Sequence, residues 1–475
     1  MTITESPELT FDWAEKRWQD PLTGTDMVCL SPNKKMHFRN NYFSSNLFTF
    51  DGKYAVFIGF KELSQGVDSG DRSIWTRDMV TGEVRNLGAI PEIPESLIPF
   101  CQYHAGCVTH FAAARYSHRV NLLDPSIPDA WGIIQFDIDT GQRKRIVPSR
   151  PIQYPYFASF DASERYVYFP HKEKYHLMKN MPTNEFQTFI NKEPGYQEMI
   201  RLDLESGQVE TAHENIRDGK RFNLEHPNPH PVLPNLFLSG ARIIDFNTGQ
   251  WLDHSDDGVT PKWRGLGYYQ WALAGRRFYT KQFASQHVQC ISRFDLDTGE
   301  ARWFAGQPHI GFAQHFRVSP NEKFMVGEGY EFDNQTITKR IQKQLRKINA
   351  SGNREGRWNV FYLNGMVTNG GETIWKYVLP EETILDDEKY WRDYDYVYKG
   401  LKENPESLET DVLREPEKTI KTTPICKFRT ILRSPKMLGY RLEANAQVTP
   451  DSRWVVFQSS SKDNYFEVWA ARIPE

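Results

Sequence analysis

Short polar segments rich in histidine, arginine and tyrosine punctuate this 475-residue sequence. They read His37-Phe-Arg39-Asn40-Asn41, Gln102-Tyr103-His104, Gln153-Tyr154-Pro-Tyr156, Arg221-Phe-Asn-Leu-Glu225-His226-Pro-Asn-Pro-His230, Tyr268-Tyr-Gln270-Trp271, Gln314-His315-Phe-Arg317 and Tyr440-Arg-Leu-Glu443-Ala-Asn445. A neutral histidine can take a proton from carbon, and a nearby positive charge keeps it neutral by lowering its pKa. Arginine neutralises a carboxylate through a two-point grip. Tyrosine can return a proton to a departing oxygen. These residue types together suit elimination at a uronic acid, where the proton beside the carboxylate is weakly acidic and enolate-like charge must be stabilised. His104 or His226 is the expected base, Tyr268 the acid, and Arg39 or Arg317 the carboxylate neutraliser. Asn41, Tyr154, Arg221, His230 and Trp271 are the expected sugar contacts.

A single histidine in such a segment is more often a hydrogen-bonded structural residue. The weight comes from recurrence, and recurrence is set by the elements between the segments. Five copies of one turn, Asp78-Met-Val-Thr-Gly82, Asp137-Ile-Asp-Thr-Gly141, Asp203-Leu-Glu-Ser-Gly207, Asp245-Phe-Asn-Thr-Gly249 and Asp295-Leu-Asp-Thr-Gly299, each join two strand-like stretches. Glycine suits a positive φ, and aspartate and threonine bond the local backbone. A second hairpin alternates with the first: Thr49-Phe-Asp-Gly-Lys-Tyr54, Ser159-Phe-Asp-Ala-Ser-Glu164, Ser319-Pro-Asn-Glu-Lys-Phe324 and Thr449-Pro-Asp-Ser-Arg-Trp454, with Leu273-Ala-Gly-Arg-Arg-Phe278 a weaker copy. Two hairpins make a four-stranded antiparallel unit, a propeller blade. Seven units are expected, near 40–90, 100–150, 154–213, 222–254, 266–305, 312–380 and 440–475. The last is a strand short, and Thr23–Ser31 supplies it, closing the ring. The expected fold is an all-β seven-bladed β-propeller over 23–475, preceded by an arm or short helix over 1–22 and interrupted by insertions at about 333–358 and 380–430. In a propeller the polar segments fall at the starts of the innermost strands and converge on the central funnel.

Composition narrows the classes. The net charge of −3 gives no electrostatic case for nucleic acid or an anionic membrane. Aromatic residues make up 14% of the chain, in keeping with rings packed on pleated faces. The five cysteines are scattered without a CxxC pair, so they read as buried thiols. No signal-peptide pattern and no membrane-length apolar run is present, and a cytoplasmic protein is the simplest expectation. No GxSxG elbow, Walker loop, HExxH or Rossmann fingerprint occurs. Two other readings use the same funnel: a non-catalytic sugar-binding or scaffold propeller, and a glycoside hydrolase, for which Glu225 and Glu443 would supply the carboxylate pair.

Asn41-Tyr-Phe43 followed by Leu47-Phe-Thr-Phe-Asp-Gly-Lys-Tyr-Ala-Val-Phe-Ile-Gly59 resembles the first blade of the oligogalacturonate lyases, which are seven-bladed propellers. His226-Pro, Gln270-Trp271, His315 with Phe324-Met-Val-Gly-Glu-Gly329, and Thr449-Pro-Asp with Val455-Val-Phe457 continue the likeness around the ring. The resemblance implies a uronate-containing oligosaccharide as partner and a divalent cation, manganese or calcium, on inner-strand histidines and a glutamine. Tyr268 stands where the family has its fifth-blade histidine, and Glu443-Ala-Asn445 where it has His-Pro-His. His315, Glu443 and Asn445 are the positions left for a loosely held ion. The family's general-base histidine falls near Ser239-Gly240. In funnel chemistry the sequence is more similar to the propeller lyases that cut ulvan or rhamnose–glucuronate linkages, which use His, Tyr and Arg without that metal centre.

Overall fold

The computed structural model describes residues 8–21, 23–41, 45–64, 67–95, 111–127, 131–152, 159–171, 198–212, 227–239, 242–250, 269–283, 289–299, 301–304, 316–329, 372–379, 422–428, 444–461 and 465–475. Seven small antiparallel sheets form a seven-bladed β-propeller, and no α-helix occurs among the described residues. Strands run from the axis outward in chain order. Blade 1 holds His37–Arg39, Tyr54–Phe60, Ser73–Asp78 and Val84–Ala89; blade 2 holds Phe111–Ala113, Arg119–Asp124, Gly132–Asp137 and Arg143–Ile146. Blade 3 holds Ser159–Phe160, Tyr166–His171, Glu198–Asp203 and Val209–Thr211, and blade 4 begins Asn228–Pro229, Leu236–Ser239 and Arg242–Asp245. Blade 5 holds Tyr269–Trp271, Arg277–Phe283, Gln289–Asp295 and Ala301–Phe304; blade 6 holds Phe316–Val318, Phe324–Gly329, Glu372–Val378 and Thr422–Phe428.

Local chemistry shapes both turns as the sequence leads one to expect. In the outer hairpin the aspartate carboxylate accepts the backbone N–H groups that follow it: Asp78 Oδ1 holds Val80 at 2.9 Å and Thr81 at 2.8 Å, and Asp245 Oδ1 holds Asn247 at 2.9 Å and Thr248 at 2.8 Å. The closing glycines lie at φ +67 to +77°, a region that L side chains enter only at a cost. In the inner hairpin a hydroxyl does the same work. Thr49 Oγ1 and Thr449 Oγ1 each donate to the aspartate two residues on and accept the N–H five residues on, at 3.0 Å in both blades.

Large apolar side chains fill the seams between neighbouring blades. Trp454, Val456, Phe466 and Val468 of blade 7 pack with Phe38, Val56, Ile58 and Phe60 of blade 1, and Phe324, Val326 and Ile374 of blade 6 pack with Val455 and Phe457 of blade 7. Cys29 and Cys426 belong to the second of these clusters. Burial pushes the Cys29 thiol up to about 11, with Glu467 adding to the effect, so it remains protonated.

Blade 7 closes the ring. Gln447–Val448, Trp454–Ser460 and Phe466–Arg472 come from the C-terminal end, and the N-terminal strand Asp26–Cys29 pairs with the last of them in the register Met27↔Ala471, Val28↔Ala470 and Cys29↔Trp469. Two details differ from expectation. Arg17–Gln19 is neither helix nor arm but a fifth strand outside Asp26–Cys29. Its side chains are exposed, so it carries no buried alternation by which a strand is recognised. Blade 6 also reaches further along the chain than residue 380, because its outer strand, Thr422–Phe428, lies at the end of the stretch read as an insertion. Pro424 sits in that strand opposite Trp375, beside a register shift, and proline is tolerated on such an outer edge.

A charged clamp fastens blades 1 and 2 at their turns. His118 Nδ1 lies 2.7 Å from Asp139 Oδ2, and its Nε2 lies 2.9 Å from Asp51 Oδ2. Tyr54 donates to the other oxygen of Asp139 at 3.2 Å. Burial opposes protonation of His118, but hydrogen bonds and charge from the two aspartates outweigh it and raise its pKa, while both aspartates are lowered by their partners against burial. The histidine contribution is complete below its ordinary value near 6.5 and is lost as pH rises through the raised value. The aspartate contribution fades in acid. His118→Gln is therefore expected to remove a stability decline on the alkaline side of pH 6.5. Since both aspartates are half exposed, the effect should be at most about 1 kcal/mol. Urea melts of both proteins across that range check it, and parallel pH profiles would exclude the clamp as their source.

Candidate functional site

Three side chains bond between blades that are not neighbours in the ring. Arg115 follows the inner strand of blade 2, and its Nη2 donates to the carbonyl of Leu273 in blade 5. Blades 2 and 5 face each other across a seven-membered ring, so this bond spans the channel. Tyr116 donates through its hydroxyl to Pro231 O of blade 4 at 2.9 Å, and the Arg115 guanidinium lies 5.7 Å from the centre of the Phe50 ring and 5.5 Å from that of Tyr116. All these groups follow inner strands, at the turn face, where they form a floor. Higher in the channel, Arg317 on the inner strand of blade 6 donates from Nη2 to Asn46 Oδ1 of blade 1 at 2.6 Å.

Electrostatics distinguish these arginines from those on the surface. Arg317 keeps part of its surface accessible, yet so many protein atoms surround it that desolvation, with Arg115 adding, pushes its pKa down to about 10. It stays charged at neutral pH. Burial also lowers Arg115, against the opposing influence of Tyr116 and Glu164. Glu164 itself is held by Arg119 at 3.1 Å and by the Ser117 hydroxyl at 2.6 Å.

Between blades 7 and 1 a polar cluster lies beside the start of the blade 7 inner strand. Arg39 Nη2 pairs with Asp68 Oδ1 at 2.9 Å, and that carboxylate is wholly buried. Asn40 donates to Ala444 O and Asn445 O at 3.2 and 3.1 Å. The pairing of Ser460 with Phe466 turns Gln458 and Ser460 toward the same seam, where Arg39 lies 6.0 Å from the centre of the Phe466 ring. Asn40 Oδ1, Gln458 Nε2 and Ser460 Oγ are buried there without a hydrogen-bond partner. Such groups take water or the hydroxyls of a ligand.

The residues singled out in the sequence separate into three groups. His104, Tyr154, Arg221, His226, Tyr268, His315 and Glu443 lie outside the described residues. Arg317 lines the channel, whereas Arg39 lies in the blade 7–blade 1 seam, bound to Asp68. Asn41, His230 and Trp271, expected to touch sugar, instead hold blades together. Asn41 is fully buried, and its amide donates to Phe111 O and to Asn46 O, the latter at 3.1 Å. Trp271 donates to Asn228 O at 2.9 Å and sets its ring against His230 and Phe278. His230 Nε2 donates to Gly275 O at 2.7 Å, while Nδ1 accepts from Val232 at 3.0 Å and Leu233 at 2.8 Å. Burial holds it neutral at about 4, with Arg115 adding, against the Gly275 bond. With both ring nitrogens occupied, it pins blade 4 to blade 5.

That pin gives a sharp test. Gly275 lies at φ +76°, and a Cβ there would come within 2.4 Å of His230 Cε1. Gly141 has a similar φ of +71° with nothing within 4 Å. Gly141→Ala should therefore cost about 1–2 kcal/mol, the backbone term alone, and Gly275→Ala clearly more. Equal losses in denaturant melts would show that the His230 contact carries nothing.

Of the three positions left for a divalent cation, only Asn445 is described. It lies at φ +48°, and its carbonyl accepts from Asn40. Among the described residues no three His, Cys, Asp or Glu side chains come together as a metal site. His315 and Glu443 lie outside the described residues, and no step below is routed through an ion. Among the described residues, too, no helix is long and apolar enough to cross a membrane.

Arg115, Tyr116, Asn46 and Asp68 have no place in the residue pattern read from sequence. The nearest signal for the first two is Ala112-Ala-Ala114 ahead of Arg115-Tyr116: small residues along an inner strand, then two long polar-tipped ones in the turn that follows.

No protein-family profile matches the sequence, and no curated protein is significantly similar to it. Among solved structures, the chain is similar to an oligogalacturonate lyase in complex with manganese, with TM-score 0.57 and 13% identity, covering 97% of this chain and 96% of that one. It is also similar to an oligogalacturonate lyase from Vibrio parahaemolyticus, with TM-score 0.55 and 14% identity, covering 97% of each chain. At these identities the likeness establishes the fold.

Proposed function

We propose that this propeller is a lyase that cleaves uronic-acid-containing oligosaccharides by β-elimination. One observation carries the reading: a guanidinium that stays charged at neutral pH, Arg317, stands on an inner strand of the channel and donates across a blade to Asn46. A site of that kind suits a ligand carboxylate, and it suits even better the enolate-like charge that builds when the neighbouring carbon loses its proton. The two oligogalacturonate lyases of like fold support the substrate class.

In the reaction a base removes the proton from the sugar carbon next to the carboxylate. The electron pair forms a carbon–carbon double bond, the bond to the glycosidic oxygen breaks, and an acid protonates that oxygen. Arg317 holds the carboxylate and offsets the developing charge. His104 or His226 is the proposed base and Tyr268 the proposed acid, on the phase of their segments in the repeat. The balance needs neither water nor an oxidant.

The test is a screen of the full chain against oligosaccharides containing galacturonate, glucuronate or iduronate, followed in the ultraviolet. The product double bond is conjugated to the carboxylate, so absorbance should rise as chains shorten. Saturated products carrying oxygen from labelled water would replace elimination with hydrolysis. Binding without any cleavage would leave a sugar-binding propeller.

A further inference from the structure

The closing seam between blades 7 and 1 carries polar groups that neither the ring nor the proposed elimination uses. On blade 7, Ser460 lies opposite Phe466 and Gln458 opposite Val468, so both polar side chains share the face of the Phe466 ring. On blade 1, the His37 ring centre lies 4.9 Å from that of Phe466 and the Arg39 guanidinium 6.0 Å from it, so the inner strand meets the same ring. Further along the seam, Ala444 O accepts from both the Asn40 amide at 3.2 Å and the Gln458 N–H at 2.8 Å. Asp68 joins from the small hairpin of Glu62–Ser64 and Val67–Ser69 through its 2.9 Å pair with Arg39. Within this cluster Asn40 Oδ1, Asp68 Oδ2, Gln458 Nε2 and Ser460 Oγ are buried and make no hydrogen bond. Asn40, Asp68 and Gln458 are each no more than 1% exposed, and a buried polar group left unmade is costly.

Charge selects the ligand. Arg39 and Asp68 cancel, so an anion would meet the Asp68 carboxylate and a cation the Arg39 guanidinium. His37 adds no charge at neutral pH: its Nδ1 accepts from Phe466 N at 3.2 Å, and burial, with Arg39 adding, lowers its pKa against the pull of Asp68. What remains is a set of acceptors at Asn40 and Asp68, a donor at Gln458 and a hydroxyl at Ser460 that serves as either. Neighbouring hydroxyls answer such a set, because each gives one hydrogen and accepts another. The Phe60 and Phe466 rings, 6.1 Å apart between centres, supply an apolar wall for the C–H face of the same molecule. We infer that the seam between blades 7 and 1 binds adjacent hydroxyls of an uncharged polyol, which enters past the half-buried His37 and Arg39. The ligand is either a neutral sugar ring or a small free polyol. The site stands apart from the lyase reading, since neither Arg317 nor elimination has a part in it.

The experiment is a saturation-transfer NMR titration of the full chain with methyl glucoside, methyl galactoside and glycerol, and with fully O-methylated methyl glucoside as the control. Saturable binding of at least one hydroxylated probe and none of the O-methylated one is expected. Ser460→Ala and Gln458→Leu should each weaken that binding about threefold to tenfold, the worth of one hydrogen bond. A pyranoside that binds where glycerol does not assigns the site to a sugar ring, and the reverse assigns it to a small polyol. Ser460→Ala should melt near the wild-type temperature, because its hydroxyl has no partner in the protein to lose. Should Gln458→Leu fail to fold, Ser460→Ala, which removes a single oxygen, carries the test. The inference is overturned if no hydroxylated probe binds, which would leave water alone at these groups, or if the O-methylated sugar binds as well as its parent. Folded variants that bind as tightly as wild type, or a Ser460→Ala protein that melts far below it, would overturn it too. No probe carries a carboxylate, so failure here leaves the lyase reading to its own assay.

Discussion

Removal of residues 1–31 is expected to leave a chain that neither melts cooperatively nor stays in solution. Asp26–Cys29 is the strand that joins the two ends of the ring, and Leu9, Phe11, Met27, Val28 and Leu30 are buried against strands from both ends. Burying each of these side chains contributes about 1.5–3 kcal/mol, so together they match the roughly 5–15 kcal/mol that holds a typical domain. Directional bonds reinforce them. Leu9 N donates to Asp451 at 3.0 Å, Trp454 Nε1 donates to Leu9 O at 2.8 Å, and Asp20 accepts from Lys427 N of blade 6 at 2.8 Å. The deletion would also expose Phe466–Arg472 as an unpaired strand edge, a template for aggregation. Circular dichroism melts and size-exclusion chromatography of the truncated chain check this. A soluble monomer melting near the wild-type temperature would show that the ring needs no such closure.

Arg317→Met should lower kcat/KM on a cleaved uronate oligosaccharide by something on the order of a hundred- to a thousandfold. The guanidinium grips the carboxylate in the ground state and stabilises more charge in the transition state, so KM should rise and kcat should fall. Arg317→Lys should recover only part of the loss, because a point charge cannot reproduce the planar grip that also reaches Asn46. Arg39→Met makes the informative contrast. It strands the wholly buried carboxylate of Asp68, so its main effect should appear in thermal stability. If Arg317→Met keeps full turnover while Arg39→Met abolishes it in a folded protein, the carboxylate is held at the blade 7–blade 1 seam and the channel assignment fails.

Local chemistry was the most legible part of this chain. An aspartate that bonds its own turn and a glycine at positive φ need no distant partner, which is why the outer hairpins at Asp78, Asp137, Asp203, Asp245 and Asp295 stand where their residues indicate. Ring closure was legible through a deficit, since the last unit lacked a strand that Thr23–Ser31 could provide. Arg17–Gln19 was not, because an exposed edge strand has no buried face to write into its pattern. Thr422–Phe428 was obscured by its distance from Glu372–Val378 and by Pro424, which reads as a breaker until its place on the outer edge is known.

The site follows the same division. Arg317 was legible as a polar residue at the right phase of an inner strand. His230 and Trp271 share that phase, but their roles depend on what the neighbouring blade offers, a carbonyl at Gly275 or Asn228. Arg115 depends on a partner three blades away. No periodicity within one blade encodes that bond.

The closing seam also sets a timetable. Ser31 and Val468, joined by a hydrogen bond from the Val468 N–H at 3.2 Å, are 437 residues apart in the chain. At synthesis rates of about 5–20 residues per second the first partner waits roughly 20–90 s for the second. For that interval the earliest strand has only its own hairpin with Arg17–Gln19, an isolated pair of marginal stability in water. Six blades can collapse one after another as they are made, but the ring gains its closing cooperativity in one late step of very high contact order. A newly made chain is therefore most vulnerable to proteases and to pairing with its neighbours just before completion, and a holdase that shelters residues 9–30 would raise the yield of closed rings more than it would raise their stability.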